Sequence, residues 1–128
     1  IDYAVKRANK RVPIIAGTGS NDTAYALDLI KCANGSGADA MLVVTPYYNK
    51  ATPSGLLAHY CAIAGAVHIP IIAYNVPSRT GLNIQPETAA TLYREVDTVV
   101  GLKQANGDLS SVAKLMEKVS INALSPFR

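Results

Sequence analysis

The chain has 128 residues, 49% hydrophobic and 16% charged, with a net charge of +3. That is the length and apolar content of one ordinary globular domain, and no stretch reaches the roughly 18 to 20 uninterrupted apolar residues that would span a membrane. The positive charge is spread thinly and no Lys/Arg run alternates with aromatics, so nucleic acid is not an expected partner.

The chain opens at Ile1, without a methionine, inside what reads as a helix, which predicts a fragment of a longer protein. With no basic-then-apolar leader, a soluble, cytoplasmic protein is expected. Lys6, Arg7, Lys10 and Arg11 form the only dense basic group and read as the solvated end of that helix. Short apolar runs rich in β-branched residues then predict strands at Val12–Ala16, Ala40–Val44, Ile71–Tyr74 and Val99–Lys103. Each run is continuous rather than alternating, as in a strand buried on both faces. Amphipathic helices fall between them. Ala26, Leu29, Ile30 and Ala33 share one face, as do Leu56, Tyr60, Ile63, Ala64 and Val67, and later Leu109, Val112, Ala113 and Met116. Pro86 suits a first helical turn, and Asp108 the N-cap of the last helix. Cys32 and Cys61 lack a CxxC pattern or a nearby histidine cluster and are expected as reduced, buried or half-buried thiols.

Strand starts recur about every thirty residues, the length of a βα unit, which implies a parallel sheet flanked by helices. Two architectures compete: half of an eight-stranded (β/α) barrel, or a small open doubly wound sheet. A complete barrel needs about 250 residues, so length alone favours the open sheet.

In both, functional groups collect beyond the carboxyl ends of the strands. Those positions carry Gly17-Thr18-Gly19-Ser20-Asn21, then Thr45-Pro46-Tyr47-Tyr48-Asn49, then Tyr74-Asn75-Val76-Pro77-Ser78-Arg79-Thr80-Gly81, and finally Lys103-Gln104-Ala105-Asn106-Gly107. A lysine that leaves a buried strand between low-dielectric walls has its charged form disfavoured. The neutral amine can attack a ketone and form an imine, an electron sink for carbon–carbon bond formation. The bland alternative for Lys103 is a side chain snorkelling to solvent. Tyr74 could relay protons at such a site, or be a core tyrosine satisfied at the rim. Tyr47 and Tyr48 are adjacent large aromatics that cannot both enter one core, so at least one should face a site or a partner chain. Arg79 suits bidentate capture of a carboxylate, or a surface ion pair. Gly17-Thr18-Gly19 lacks the third glycine of a dinucleotide fingerprint and the Gly-Lys of a P-loop, and reads as a strand-to-helix turn. His59 and His68 have no carboxylate or cysteine at ligand spacing, so no metal is expected.

In order and spacing, Ile15-Ala16-Gly17-Thr18-Gly19, Val44-Thr45-Pro46-Tyr47-Tyr48-Asn49, Tyr74 through Gly81, and Gly101-Leu102-Lys103 resemble successive blocks of the dihydrodipicolinate synthase family, from about Ile1 to Val119. The resemblance implies an α/β fold, a partial (β/α)8 barrel of about four βα units with parallel strands. Residues 1–128 would be the central portion of one barrel domain, incomplete at both ends. It implies condensation of pyruvate with aspartate 4-semialdehyde in lysine and diaminopimelate biosynthesis, with no metal or organic cofactor. Lys103 would form the imine with pyruvate, Tyr74 would be the acid/base, and Tyr48 would extend the relay into a neighbouring subunit's site. Arg79 and Gly81 would belong to the substrate-binding loop. Members of the family are commonly homotetramers built as pairs of tight dimers. N-acetylneuraminate lyases share the tyrosine and lysine chemistry but lack the loop arginine, so Arg79 favours the synthase.

The chain also departs from the family pattern. The family threonine that bridges the two relay tyrosines has no counterpart in this chain, and Gln104 stands where glutamate is usual. The stretch 120–128 does not match the family's next strand. A regulatory lysine site in the family uses an asparagine, a glutamate and the first tyrosine of the Tyr-Tyr pair. Asn21 and Tyr47 match, but Tyr25 replaces the glutamate, which implies weak or absent inhibition by lysine. The expected activity of the 128-residue chain alone is little or none, and a non-catalytic truncated remnant is the alternative.

Overall fold

The protein is seen in a computed structural model that describes residues 1–120. In chain order the elements are α1 (Asp2–Ala8), β1 (Ile15–Gly17), α2 (Thr23–Gly35), β2 (Ala40–Val44) and α3 (Pro53–Ala64), followed by β3 (Ile71–Asn75), α4 (Pro77–Thr80), α5 (Pro86–Glu95), β4 (Val99–Gln104) and α6 (Leu109–Ser120).

Local chemistry sets most boundaries. Asp22 caps α2 by accepting from the Tyr25 amide at 3.1 Å, and Thr52 caps α3 by accepting from the Gly55 amide at 3.2 Å. Pro53, Pro77 and Pro86 each open a helix, where a missing N–H costs nothing. Asp108 caps α6 as the sequence predicts, accepting from the Ser111 amide at 3.2 Å. The Ser110 hydroxyl, donating to the same carboxylate at 2.6 Å, holds Asp108 below the ordinary carboxylate pKa. The basic group lies at the exposed end of α1. Lys6 pairs with Asp2 at 2.8 Å, and the Arg11 guanidinium donates to the carbonyls of Ala8 and Arg7 at the end of the helix.

The first strand differs from its prediction. It runs Ile15–Gly17 rather than Val12–Ala16. Pro13 has no N–H for a ladder, the Ile14 amide donates to the Asp39 carboxylate at 2.7 Å, and Val12 is exposed.

The four strands form one parallel sheet in sequential order, β1-β2-β3-β4. Met41 and Val43 of β2 and Ile71 and Ala73 of β3 are buried against a layer formed by Ile30, Leu56, Tyr60, Ile63 and Leu92 from the helices. The alternate residues Leu42, Val44, Ile72 and Tyr74 are only half-buried, and Ile15 and Gly17 are exposed. Helices therefore cover one face of the sheet and the other lies open, which corrects the expectation of strands buried on both faces. A doubly wound sheet would carry helices on both faces and reverse its strand order. Sequential order with helices on one side is instead an arc of a (β/α)8 barrel, whose inner face is closed only by the remaining strands.

Two further expectations are corrected. On α6 the predicted inward face is only partly covered: Val112 and Met116, with Leu115, line an apolar cavity against β4 and α5 yet stay partly open, while Leu109 and Ala113 are exposed. Cys32 and Cys61 are free and exposed rather than buried, because they project from the outer surfaces of α2 and α3. The unmatched C-terminal stretch 121–128 lies outside the described residues. Among the described residues no helix is long and apolar enough to cross a membrane.

Candidate active site

Strand register brings the predicted residues together. Val44 lies opposite Tyr74, and Tyr74 opposite Lys103, at the carboxyl ends of β2, β3 and β4. Because successive strand residues point to opposite faces, Tyr74 and Lys103 both stand on the open face. The Lys103 Nζ lies 4.0 Å from the centroid of the Tyr74 ring. That is cation–π geometry, worth about 0.5–1 kcal/mol at an exposed site. The ammonium thus rests on the ring face rather than at the phenol oxygen.

Lys103 is exposed, so the low-dielectric walls expected around it are not supplied by the described residues. The physical reason is its position: β4 is an edge of the four-stranded sheet, so Lys103 has neighbours on one side only.

Beside Tyr74 an open pocket of about 360 Å³ is lined by Gly17, Leu42, Val44, Tyr47, Tyr74 and Arg79. Arg79 sits in α4, a single turn opened by Pro77 and closed by Gly81, whose φ of 69° is the left-handed conformation that glycine adopts without steric cost. Among the described residues no carboxylate pairs with Arg79, so the ion-pair alternative finds no support and the guanidinium is available to an anion beside the pocket. Gly81 is exposed and shapes the turn rather than contacting the other predicted groups.

Tyr47 and Tyr48 diverge as their adjacency requires. Tyr47 borders the pocket, while Tyr48 is 89% exposed and points away from the chain's own site. Tyr48 holds a φ of 72°, uncommon for a bulky residue and retained where surrounding contacts dictate it. Its amide donates to the Thr80 carbonyl at 3.2 Å, which ties this loop to the Arg79 loop. On the other side the Asn49 side chain donates to the Asn21 carbonyl at 2.7 Å. Asn21 and Tyr47 therefore belong to contiguous loops, and Tyr25, beside them on α2, is exposed.

Gly19 is needed for a steric reason the motif did not reveal. A Cβ there would stand 2.4 Å from the Val44 amide nitrogen, so the turn after β1 closes directly on β2. His59 is buried, its Nδ1 2.8 Å from the Thr23 hydroxyl, and burial lowers its pKa. Among the described residues no group of three His, Cys, Asp or Glu could hold a metal ion.

Two residues at this end of the sheet make polar contacts that the sequence did not reveal. Asn75 is fully buried directly after Tyr74, and Tyr60 donates its hydroxyl to the Val43 carbonyl at 2.8 Å from beneath the sheet. The signal for Asn75 was present, since an amide inside an apolar strand must find partners when buried.

Known proteins share this arrangement. The model of the Dihydrodipicolinate synthetase family matches residues 1–124, five residues beyond the Val119 limit expected from the motifs. A 4-hydroxy-tetrahydrodipicolinate synthase of Thermoanaerobacter sp. (strain X514) is 55% identical over 115 residues, covering 90% of this chain and 39% of that protein. The crystal structure of dihydrodipicolinate synthase from Thermotoga maritima superposes with a TM-score of 0.91 at 39% identity, covering 96% of this chain and 42% of that one. That of the Acinetobacter baumannii enzyme, complexed with pyruvate, gives 0.89 at 50% identity, covering 93% and 40%. The chain thus spans about 40% of the length of the proteins it matches.

Proposed function

Because the chain belongs to the dihydrodipicolinate synthetase family, we propose that within a closed barrel it condenses pyruvate with aspartate 4-semialdehyde through a Schiff base on Lys103, giving 4-hydroxy-tetrahydrodipicolinate for lysine and diaminopimelate biosynthesis. The observation that carries this reading is the Lys103 Nζ held 4.0 Å from the Tyr74 ring, in register, on the open face of the sheet.

In this mechanism the uncharged amine of Lys103 attacks the keto carbon of pyruvate, and loss of water leaves the imine. The imine then accepts the electron pair released when the adjacent methyl group gives up a proton, and that carbon attacks the aldehyde. Tyr74 moves protons to and from the nitrogen and oxygen of the adduct. Arg79, beside the pocket, binds the carboxylate of the semialdehyde by paired N–H donors, with Gly81 setting its turn. Tyr48, turned outward, extends the proton relay in a neighbouring subunit's site, so the working form is a homo-oligomer, a dimer of dimers. No cofactor takes part, and the reaction is cytoplasmic. Asn21 and Tyr47 form the remains of a regulatory lysine site. Tyr25 offers no carboxylate to a lysine ammonium, so feedback inhibition is weak or absent.

Borohydride reduction in the presence of pyruvate tests the reading. The intact protein should gain one reduced pyruvate adduct on Lys103, located by peptide mass spectrometry, and Lys103→Met should gain none. An intact, folded protein without that adduct would overturn the proposal. The 128-residue chain alone should show little turnover, because its open sheet face leaves Lys103 in solvent; robust turnover would contradict this.

A further inference from the structure

Behind the reactive pair, on the helix side of the sheet, stands a second register pair, Asn75 opposite Gln104. We propose that these two amides form a clamp that positions Lys103 against Tyr74, and that both are positioning residues for the imine chemistry; the inference rests on the Schiff-base reading above.

The bonds are specific. Asn75 Nδ2 donates to Gln104 Oε1 and to Asn83 Oδ1, each at 2.8 Å. Asn75 Oδ1 accepts from the Ile84 amide at 3.0 Å, and its backbone carbonyl accepts from the Ala105 amide at 2.9 Å. Gln104 Nε2 donates onward to Asn106 Oδ1 at 3.0 Å and Ser111 Oγ at 3.2 Å. Both Asn75 protons are used, and each of its carbonyl oxygens accepts from a backbone amide. One buried side chain therefore joins β3, which carries Tyr74, to β4, which carries Lys103. It also reaches the segment just after the Arg79 turn and, through Gln104, the first turn of α6.

The clamp has a mechanical purpose because β4 is irregular. Ile71 pairs with Val99, but Ile72 pairs with Gly101, so Val100 is an extra residue in the ladder. Beyond such a bulge a strand can slip, and a slip of one residue turns every side chain to the opposite face. Lys103 would then point into the helix layer and Gln104 onto the open face. The Asn75–Gln104 bond lies at the end of the ladder, past the bulge, where it opposes that slip.

The polarity of the bond yields the test. Asn75 donates and Gln104 accepts, so Gln104→Glu keeps an acceptor toward Asn75, whereas Asn75→Asp has no proton for either partner and Gln104→Leu has no acceptor. In the intact protein, time-resolved borohydride quenching with pyruvate measures adduct formation on Lys103 per folded molecule, alongside kcat and KM. Gln104→Glu should stay close to the parent. Gln104→Leu and Asn75→Asp should slow adduct formation and lower kcat by roughly ten- to hundredfold, the scale of a misplacement of about 1 Å, with little change in KM for pyruvate. If Asn75→Asp does not fold, the two Gln104 variants carry the test. Gln104→Leu reacting at the parent rate, or Gln104→Glu losing as much as Gln104→Leu, would overturn the clamp. If the parent itself forms no adduct, the Schiff-base reading fails instead. The clamp is then judged by hydrogen exchange at the Ala105 amide, which must quicken in Gln104→Leu; unchanged exchange would overturn it.

Discussion

The closure of the Gly17-Thr18-Gly19 turn on β2 can be tested with two single-methyl changes. In Gly19→Ala the new Cβ would stand 2.4 Å from the Val44 nitrogen, 2.7 Å from its Cγ1 and 2.9 Å from its carbonyl oxygen. Two of these three atoms are backbone in the ordered strand β2, so a rotamer change cannot relieve the overlap. Ordinary contact begins near 3.4 Å, so the turn must retreat by about 1 Å. That movement strains the hydrogen bond from the Thr18 amide to the Leu42 carbonyl, now 3.1 Å, and widens the pocket beside Tyr74. Overpacking of this kind costs about 1–3 kcal/mol. Gly17→Ala is the control, since its Cβ would meet nothing within 4 Å, and it should stay within about 0.5 kcal/mol of the parent. Urea unfolding followed by circular dichroism reads both, with an unchanged slope showing that only stability has moved. Equal stability of the two variants would refute the close approach of this turn to β2.

Tyr60→Phe removes a buried hydroxyl that donates to the Val43 carbonyl, so it should cost about 1 kcal/mol in the same assay. Burial pushes the Tyr60 phenol far up in the folded state alone, so stability is full below the ordinary phenol pKa near 10 and is lost as pH climbs past it. The Phe variant should lose part of that alkaline slope, and an identical slope would be evidence against the burial. His59 behaves in the opposite sense. Its folded pKa lies below the ordinary 6.5, so stability is full above that value and declines as pH falls through it, by at most about 1.4 kcal/mol per pH unit. His59→Gln should flatten the acid slope measured by unfolding between pH 7 and 5. For regulation, lysine added to the intact enzyme should leave turnover nearly unchanged, and inhibition at sub-millimolar lysine would contradict the role given to Tyr25.

The sequence by itself determined the βα repeat, three of the four strands to within a residue at either end, and the strand-end loops proposed to carry the chemistry. Those features are local: apolar runs bounded by turn residues, Asp108 at an N-cap and Pro86 at a first helical turn depend on neighbours a few positions away. The Tyr74, Arg79 and Lys103 motifs were legible for the same reason, since each ends a strand or sits in a tight turn. Only the tertiary structure decided between a doubly wound sheet and an arc of a barrel, because that choice lies in strand order and in which face the helices cover. It also left the inward face of α6 partly open and exposed Cys32 and Cys61, as outward and inward depend on what packs alongside. The bulge at Val100 and the amide pair behind Lys103 were hidden too. Asn75 and Gln104 are 29 positions apart, and only parallel pairing of β3 with β4 gives one side chain's protons to the other's oxygen.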